Sequence, residues 1–563
     1  MTICVPVVDL FSGPGGLSEG FSRFGDRDWA AHLPKELSPR GWDIPNNLRF
    51  QVKLSVEKDP VARRTLKLRA FLRQFEEYPT EYLRVLKGEL SPEDLYNLKK
   101  FRYAAKVADE DAWLHALGTA EEEVDRRIAD AVGRDPFWCL IGGPPCQAYS
   151  LVGRARRKGI KDYLPEKDER HFLYEEYLRI VARHAPAVFV MENVKGILSS
   201  RIGQDEIFKH IVNDLSLAGH FSKGRNEKLE YEIRSFVADP VEKSHGKEFI
   251  IRSEQFGIPQ ARHRVILLGI RRDLALKMIP RLAPREPALI EEVLHGLPKL
   301  RATVSGRGSG NKKATLTTVV SAIPTERWFR SLLKLEPFVA AKVEAVCAEI
   351  DSDGVQGENS LVRRSGDPTY MTEWFLDQAA GGVTNHEARR HMASDLHRYL
   401  FAACFAEEIG RSPTLQDFPT ELLPRHESAA SSAGGPVFND RFRVQIRRRA
   451  ASTVTSHISK DGHYYIHPDP SQCRSLTVRE AARIQTFPDN FYFCGTRTEQ
   501  YHQVGNAVPP LLAVQLAGAV ARIIVDARRS TATKDEGTSD SCLVRRPMPE
   551  NEPRLRVAGS QRR

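Results

Sequence analysis

Several short stretches of this sequence hold residue types that do chemistry. LIGGPPCQAYS (Leu140–Ser150) closes an apolar run with two glycines and two prolines and then presents Cys146. Glycines permit tight turns and prolines lock φ, so such a loop fixes the side chain that follows. A cysteine held that way is a nucleophile, a metal ligand or a small residue in a stiff turn, and the local sequence leaves all three open. Gln147 and Ser150 stand beside it, and a basic run follows with Arg154, Arg156, Arg157 and Lys158. Nearby positive charge favours thiolate over thiol and draws in a polyanion, although such a run on its own is commonly a solvated face.

DLFSGPGGLSEGF (Asp9–Phe21) is a Gly-rich turn between an apolar strand and a helix start. That shape lets a cofactor lie against backbone amides and a helix N-terminus, and it is not a P-loop, because no G-K-[ST] follows. Glu57, at the end of a second apolar stretch, stands where an acid accepts from both hydroxyls of a ribose, or is simply a solvated strand end. MENVKGIL places Glu192 and Asn193 directly after another apolar run, a strand-end position where α/β proteins bind ligands, or a helix cap. QFGIPQARHRV supplies Gln260, Arg262 and Arg264; side chains two apart on an extended segment share a face, able to hold a carboxylate, a phosphate or a base edge. In GNAVPP (Gly505–Pro510), Asn506 either closes a cofactor site or satisfies the turn.

The elements that must position these residues alternate in type. Ile3–Leu10, Phe50–Val56, FWCLIGG, AVFVMENV, YEIRSFVAD, EFIIRSEQFG and RVILLGIRRD read as strands, and HFLYEEYLRIVARH reads as a helix. This rhythm predicts an α/β sheet with crossover helices. The expected domains are a catalytic unit over 1–274 with a helical insertion at 59–134, and a less regular domain over 275–450. A segment at 451–527 completes the first unit through a helix from Leu511 to about Ala527, and a disordered tail covers 528–563.

The chain has 563 residues, 41% apolar and 28% charged. No run of the length a bilayer needs is found, and the N-terminus lacks the basic flank of an export signal. Eight scattered cysteines form no C-x-x-C pair and no zinc spacing, which favours a reducing intracellular compartment and argues against a structural metal. Lysine and arginine exceed aspartate and glutamate by ten, with a pI near 9.1; this suits a polyanion without requiring one.

In their order and combination, DLFSGPGGLSEGF, GGPPCQAYS, ENVKGIL, QFGIPQARHRV, RSLTVREAARIQTFPDNF and GNAVPP resemble the cytosine-C5 DNA methyltransferase family. The resemblance implies a Rossmann-like methyltransferase sheet and a target-recognition domain at 275–450. It implies S-adenosylmethionine as methyl donor, S-adenosylhomocysteine as product, and no metal. Cys146 would add to cytosine C6, Glu192 would contact N3 and the exocyclic amine, and Arg262, with Arg264, would hold O2 and the catalytic loop. Phe11, Gly13, Gly16, Glu57, Pro145 and Asn506 would surround the cofactor, and Gln147, Ser150, Arg154, Arg156, Arg157 and Gln260 would meet DNA. RSLTVREAARIQTFPDNF would be structural. The long segment after Glu57 obscures the family's third motif, and Leu117–Gly118 is left unassigned. The implied partner is double-stranded DNA, with a cognate restriction endonuclease or other defence protein. The implied setting is a prokaryotic cytoplasm, where a monomer would suffice and no membrane is involved. An RNA methyltransferase, a catalytically silent DNA-binding protein and an unrelated thiol enzyme are the competing readings.

Overall fold

The computed structural model describes all residues except 1–2, 26–46, 146–171, 203–204, 223, 225, 240–245, 275–278, 306–314, 351, 353–354, 378, 425–439, 461 and 537–563. An eight-stranded sheet organises the α/β part of the chain. Its strands are β1 (Ile3–Leu10), β2 (Leu48–Glu57), β3 (Ala112–Leu114), β4 (Cys139–Gly142), β5 (Val188–Val194), β6 (Tyr231–Arg234), β7 (Ile250–Arg252) and β8 (His263–Arg271). The order is β3-β2-β1-β4-β5-β8-β6, with β7 also paired to β8. The first five strands run parallel, and β8 lies antiparallel to β5, β6 and β7. The strand order reverses between β1 and β4, which opens a crevice at their carboxyl ends. The strands are near-continuous apolar runs because both faces are covered. On one face Val5, Val7, Ile141, Val190 and Leu268 pack against α1 (Gly16–Arg23) and a long C-terminal helix. On the other, Val8, Leu54, Leu140 and Phe189 pack against Val124, Ile128, Leu178 and Val181.

The segment expected as a helical insertion over 59–134 also carries a strand of the sheet. Ala112–Leu114 pairs parallel with Ser55–Glu57 as β3, and the helix Glu121–Val132 then packs on the sheet as an ordinary crossover. The excess lies between α2 (Pro60–Leu72) and the helix Arg102–Asp111, where Tyr82, Val85, Leu86 and Leu95 join Leu68 and Phe71 in a separate core. Ala380 and Cys494, distant in sequence, complete that core, and Leu361 N–H donates to Leu86 O (2.8 Å).

The middle region carries its own core from Ala302 to Cys473, built on the helices Arg327–Leu335, Pro337–Glu349 and Ala393–Ile409. RSLTVREAARIQTFPDNF ties this core to the sheet. Arg474, Arg479 and Arg483 are fully buried there: Arg474 pairs with Glu480 (2.6 Å), Arg483 with Asp489 (2.8 Å), and Arg479 donates to the carbonyls of Thr384 and Phe491.

The final helix spans Pro510–Glu536, so the helix extends past the expected end at Ala527 and residues 528–536 are not tail. It is apolar enough to cross a bilayer, yet 94% of its most apolar window is buried inside the fold. It meets α1 at backbone distance. A Cβ on Gly16 would lie 2.1 Å from Val508 O, and one on Gly20 2.4 Å from Ala513 Cβ.

Candidate active site

The carboxyl ends of β1 and β2 build one half of the crevice. Phe11 and Gly13 both adopt positive φ (58° and 57°), folding the chain so that Gly13 N–H donates to Glu57 Oε2 (2.8 Å). Glu57 Oε1 accepts from Asp59 N–H (2.8 Å), and Asp59 in turn caps α2 through Val61 and Ala62 N–H. Burial pushes the Glu57 carboxyl above its ordinary range, against these backbone bonds. The glycine at 13 is required by conformation, since no atom would obstruct a Cβ there; the one at 16 is required by the closeness of Val508. Asp9 Oδ2 accepts from Ser18 Oγ (2.5 Å), while Oδ1 is buried with no hydrogen-bond partner among the described residues. Burial, opposed by Ser18 and Ser12, pushes the Asp9 carboxyl up to about 7.

The ends of β4 and β5 build the other half. Gly143 runs against Glu192 so closely that a Cβ would lie 2.8 Å from Glu192 Oε2. Asn193 Nδ2 donates to Pro144 O (3.1 Å) and fixes the loop that leads to Cys146. Glu192 Oε1 pairs with Arg264 Nε (2.8 Å) from β8, and both side chains are only 15% exposed, so a ligand can reach them while bulk water is largely excluded. Arg262 is 3% exposed; its Nη1 donates to Val454 O (2.8 Å) and Gly505 O (3.3 Å), and its Nε has no partner among the described residues. Burial, then the like charge of Arg264, holds Arg262 well below the ordinary guanidinium value, with Glu192 opposing.

The structure brings Glu192, Arg262 and Arg264 together on one side of the crevice, and Phe11, Gly13 and Glu57 on the other, with Gly16 against Val508. Asn506 ends the helix Arg497–Asn506 two residues before Val508, exposed and beside His502. Pro145 is the last described residue before Cys146; Cys146, Gln147, Ser150, Arg154, Arg156 and Arg157 lie outside the described residues. Gln260 is a correction: it is fully buried, donating to Gln485 Oε1 (2.9 Å) and accepting from Val454 N–H (2.7 Å), so it has no face left for DNA. Two-residue spacing gives Gln260 and Arg262 a shared face but does not say what covers it, and here Gln260–Ala261 pairs parallel with Ala451–Ser452. The loop-fixing role of Asn193 and the buried carboxyl of Asp9 are not foreseen from the sequence. A short amide next to the strand-end acid was the available signal for the first; no local signal marked the second.

The crevice suits a nucleoside-bearing cofactor. The Phe11–Gly16 turn leaves open space above Gly13, and the Glu57 carboxylate, held by backbone N–H groups, stands at its edge. The fold and this site define a Rossmann-like methyltransferase. The family model for C-5 cytosine-specific DNA methylase matches residues 120–522. The type II methyltransferase M.Bpa9945I of Bacillus paralicheniformis is 34% identical over 528 residues, covering 92% of this chain and 99% of its own. The DNA (cytosine-5-)-methyltransferase M.ApeKI of Aeropyrum pernix is 29% identical, covering 68% and 81%. The type II methyltransferase M.DdeI of Desulfomicrobium norvegicum is 27% identical, covering 67% and 71%. The chain belongs to the C-5 cytosine-specific DNA methylase family and is a DNA (cytosine-5-)-methyltransferase.

Proposed function

We propose that this chain methylates C5 of a cytosine flipped out of a specific duplex sequence. Its setting would be the restriction–modification or phage-defence system of a prokaryotic cytoplasm. The Glu192–Arg264 pair, set directly beneath the loop that leads to Cys146, carries the reading. Cytosine C5 is a weak nucleophile. The Cys146 thiolate adds to C6, forming a C–S bond and pushing an electron pair towards C5. Glu192 meets N3 and the exocyclic amine and holds a proton at N3 as that charge develops, while Arg264 fixes its carboxylate. Arg262 braces the Val454 and Gly505 carbonyls, and its remaining donors would hold the base's O2. Phe11, Gly13, Gly16, Glu57, Pro145 and Asn506 would hold S-adenosylmethionine, which supplies an electrophilic methyl group when bound. Loss of the C5 proton and departure of Cys146 from C6 restore the aromatic ring. A base stacked in a duplex offers the enzyme neither its face nor its pairing edge, so flipping is required, at a cost of roughly a few kcal/mol. No metal takes part in this scheme.

Methylation-resolved sequencing of DNA incubated with protein and S-adenosylmethionine tests this. 5-Methylcytosine is expected within one short motif, absent with Cys146→Ala and formed about 10²–10⁴-fold more slowly with Glu192→Gln. Unmodified duplex alongside labelled RNA would sink the duplex reading.

A further inference from the structure

A cavity of about 470 Å³ lies outside the crevice, where the middle region meets the C-terminal part of the catalytic unit. Its charged lining is Arg389, Arg390, Lys460 and Arg497 against the single carboxylate of Asp395, whose Oδ1 is already bound by Arg398 (2.9 Å). Two of the cations are built in. Arg389 stands 3.8 Å over the Tyr501 ring and donates to Ile458 O; Arg497 donates to Glu387 (3.0 Å) and Ala388 O (3.1 Å). Arg390 and Lys460 are exposed and make no ion pair with a carboxylate among the described residues. A cavity with guanidinium walls and, at its mouth, two cations that pair with no carboxylate among the described residues selects a small anion with several acceptor oxygens.

Its place indicates which anion. Val454 O accepts from Arg262 in the crevice, and Lys460 follows six residues later. The connection reaches at most about 20 Å when extended, and the 3₁₀ turn Ser456–Ser459 shortens it. One strand of duplex DNA advances about 3.4 Å per nucleotide, so Lys460 lies within about six nucleotide steps of the Arg262 side of the crevice.

We propose that this cavity clamps a backbone phosphate of the target duplex, with Arg390 and Lys460 as the neutralising cations. This rests on the duplex reading of the active site. A contact of this kind adds affinity and register without reading sequence, because the phosphate is the same at every base.

The test uses the full chain with S-adenosylhomocysteine and a duplex carrying the motif that wild type methylates, titrated between about 50 and 200 mM salt. The double variant Arg390→Ala/Lys460→Ala is expected to bind about tenfold more weakly, equally on matched and mismatched duplex. Its plot of log affinity against log salt should be shallower by about one to two. Its affinity for S-adenosylhomocysteine, measured by calorimetry, should be unchanged, and Arg390→Lys/Lys460→Arg should restore the slope. Coincident affinities and slopes for wild type and double variant would overturn the clamp. So would inorganic phosphate stabilising wild type but not the variant while the DNA slopes coincide, which would make the cavity a site for a free anion. Wild type that neither binds nor methylates duplex would instead refute the proposed function itself.

Discussion

Asp9 shows what the crevice asks of a single residue. Its carboxyl closes β1 with one oxygen on Ser18 and the other buried without a partner among the described residues. Raised from 3.8 to about 7, it is protonated in the folded chain while the unfolded chain has already ionised. The stability it contributes is therefore present below about pH 4 and lost as pH rises through about 7, on the order of a few kcal/mol. Asp9→Asn removes that loss, so the melting temperature of wild type relative to the variant should fall between about pH 4 and 7 and level off above. Parallel curves across that range would refute the assignment. Glu57, spent on Gly13 and Asp59 N–H as well as on its proposed ligand, has a different signature. Glu57→Ala should raise the KM for S-adenosylmethionine by roughly 10–100-fold, the loss of a charge-assisted contact, as steady-state kinetics at saturating DNA would show. Such roles are partly legible in sequence: Glu192 and Arg264 stand out because an acid ends one apolar run and an arginine opens another. Gln260 misleads because two-residue spacing is the same on an exposed edge and in a covered pair.

At the scale of elements, α2 is the member that joins insertion to crevice. Its Arg69 pairs with Glu19 of α1 at 2.7 Å, with the side chains 5% and 2% exposed. Burial alone would raise Glu19, but Arg69 and then Arg23 outweigh it and hold the carboxyl at about 2. Thr65 on the same helix donates to Gln503 Oε1 (2.7 Å) and accepts from Cys494 N–H (3.0 Å), tying α2 to the C-terminal part. Arg69→Met leaves Glu19 with Arg23 as its close cation and should cost up to about 3 kcal/mol in urea unfolding, whereas Arg69→Met/Glu19→Leu should recover most of it. An equal cost in single and double variants would show that shape, not charge, holds the helices. The sequence concealed β3 here for a physical reason. Three residues, Ala112–Leu114, are too few to display a period of two, and the helices on either side set the local composition.

For the whole molecule, the informative feature is that the sheet is finished by the chain's far end. The alternation of apolar runs made the parallel sheet legible, and GNAVPP followed by an apolar run marked the returning helix; its depth was not legible, because burial on every side depends on partners several hundred residues away. A fragment ending at residue 450 lacks the helix that covers Val5, Val7 and Phe21, and should run as an aggregated or expanded species in size-exclusion chromatography. A compact fragment with native circular dichroism would contradict this. The contact between Gly16 and Val508 has a consequence for synthesis. A ribosome must release residue 508, after the whole middle region has emerged, before the turn at residue 16 gains its wall. Chains terminated before residue 508 thus lack that wall of the crevice, however much of the sheet they have already made.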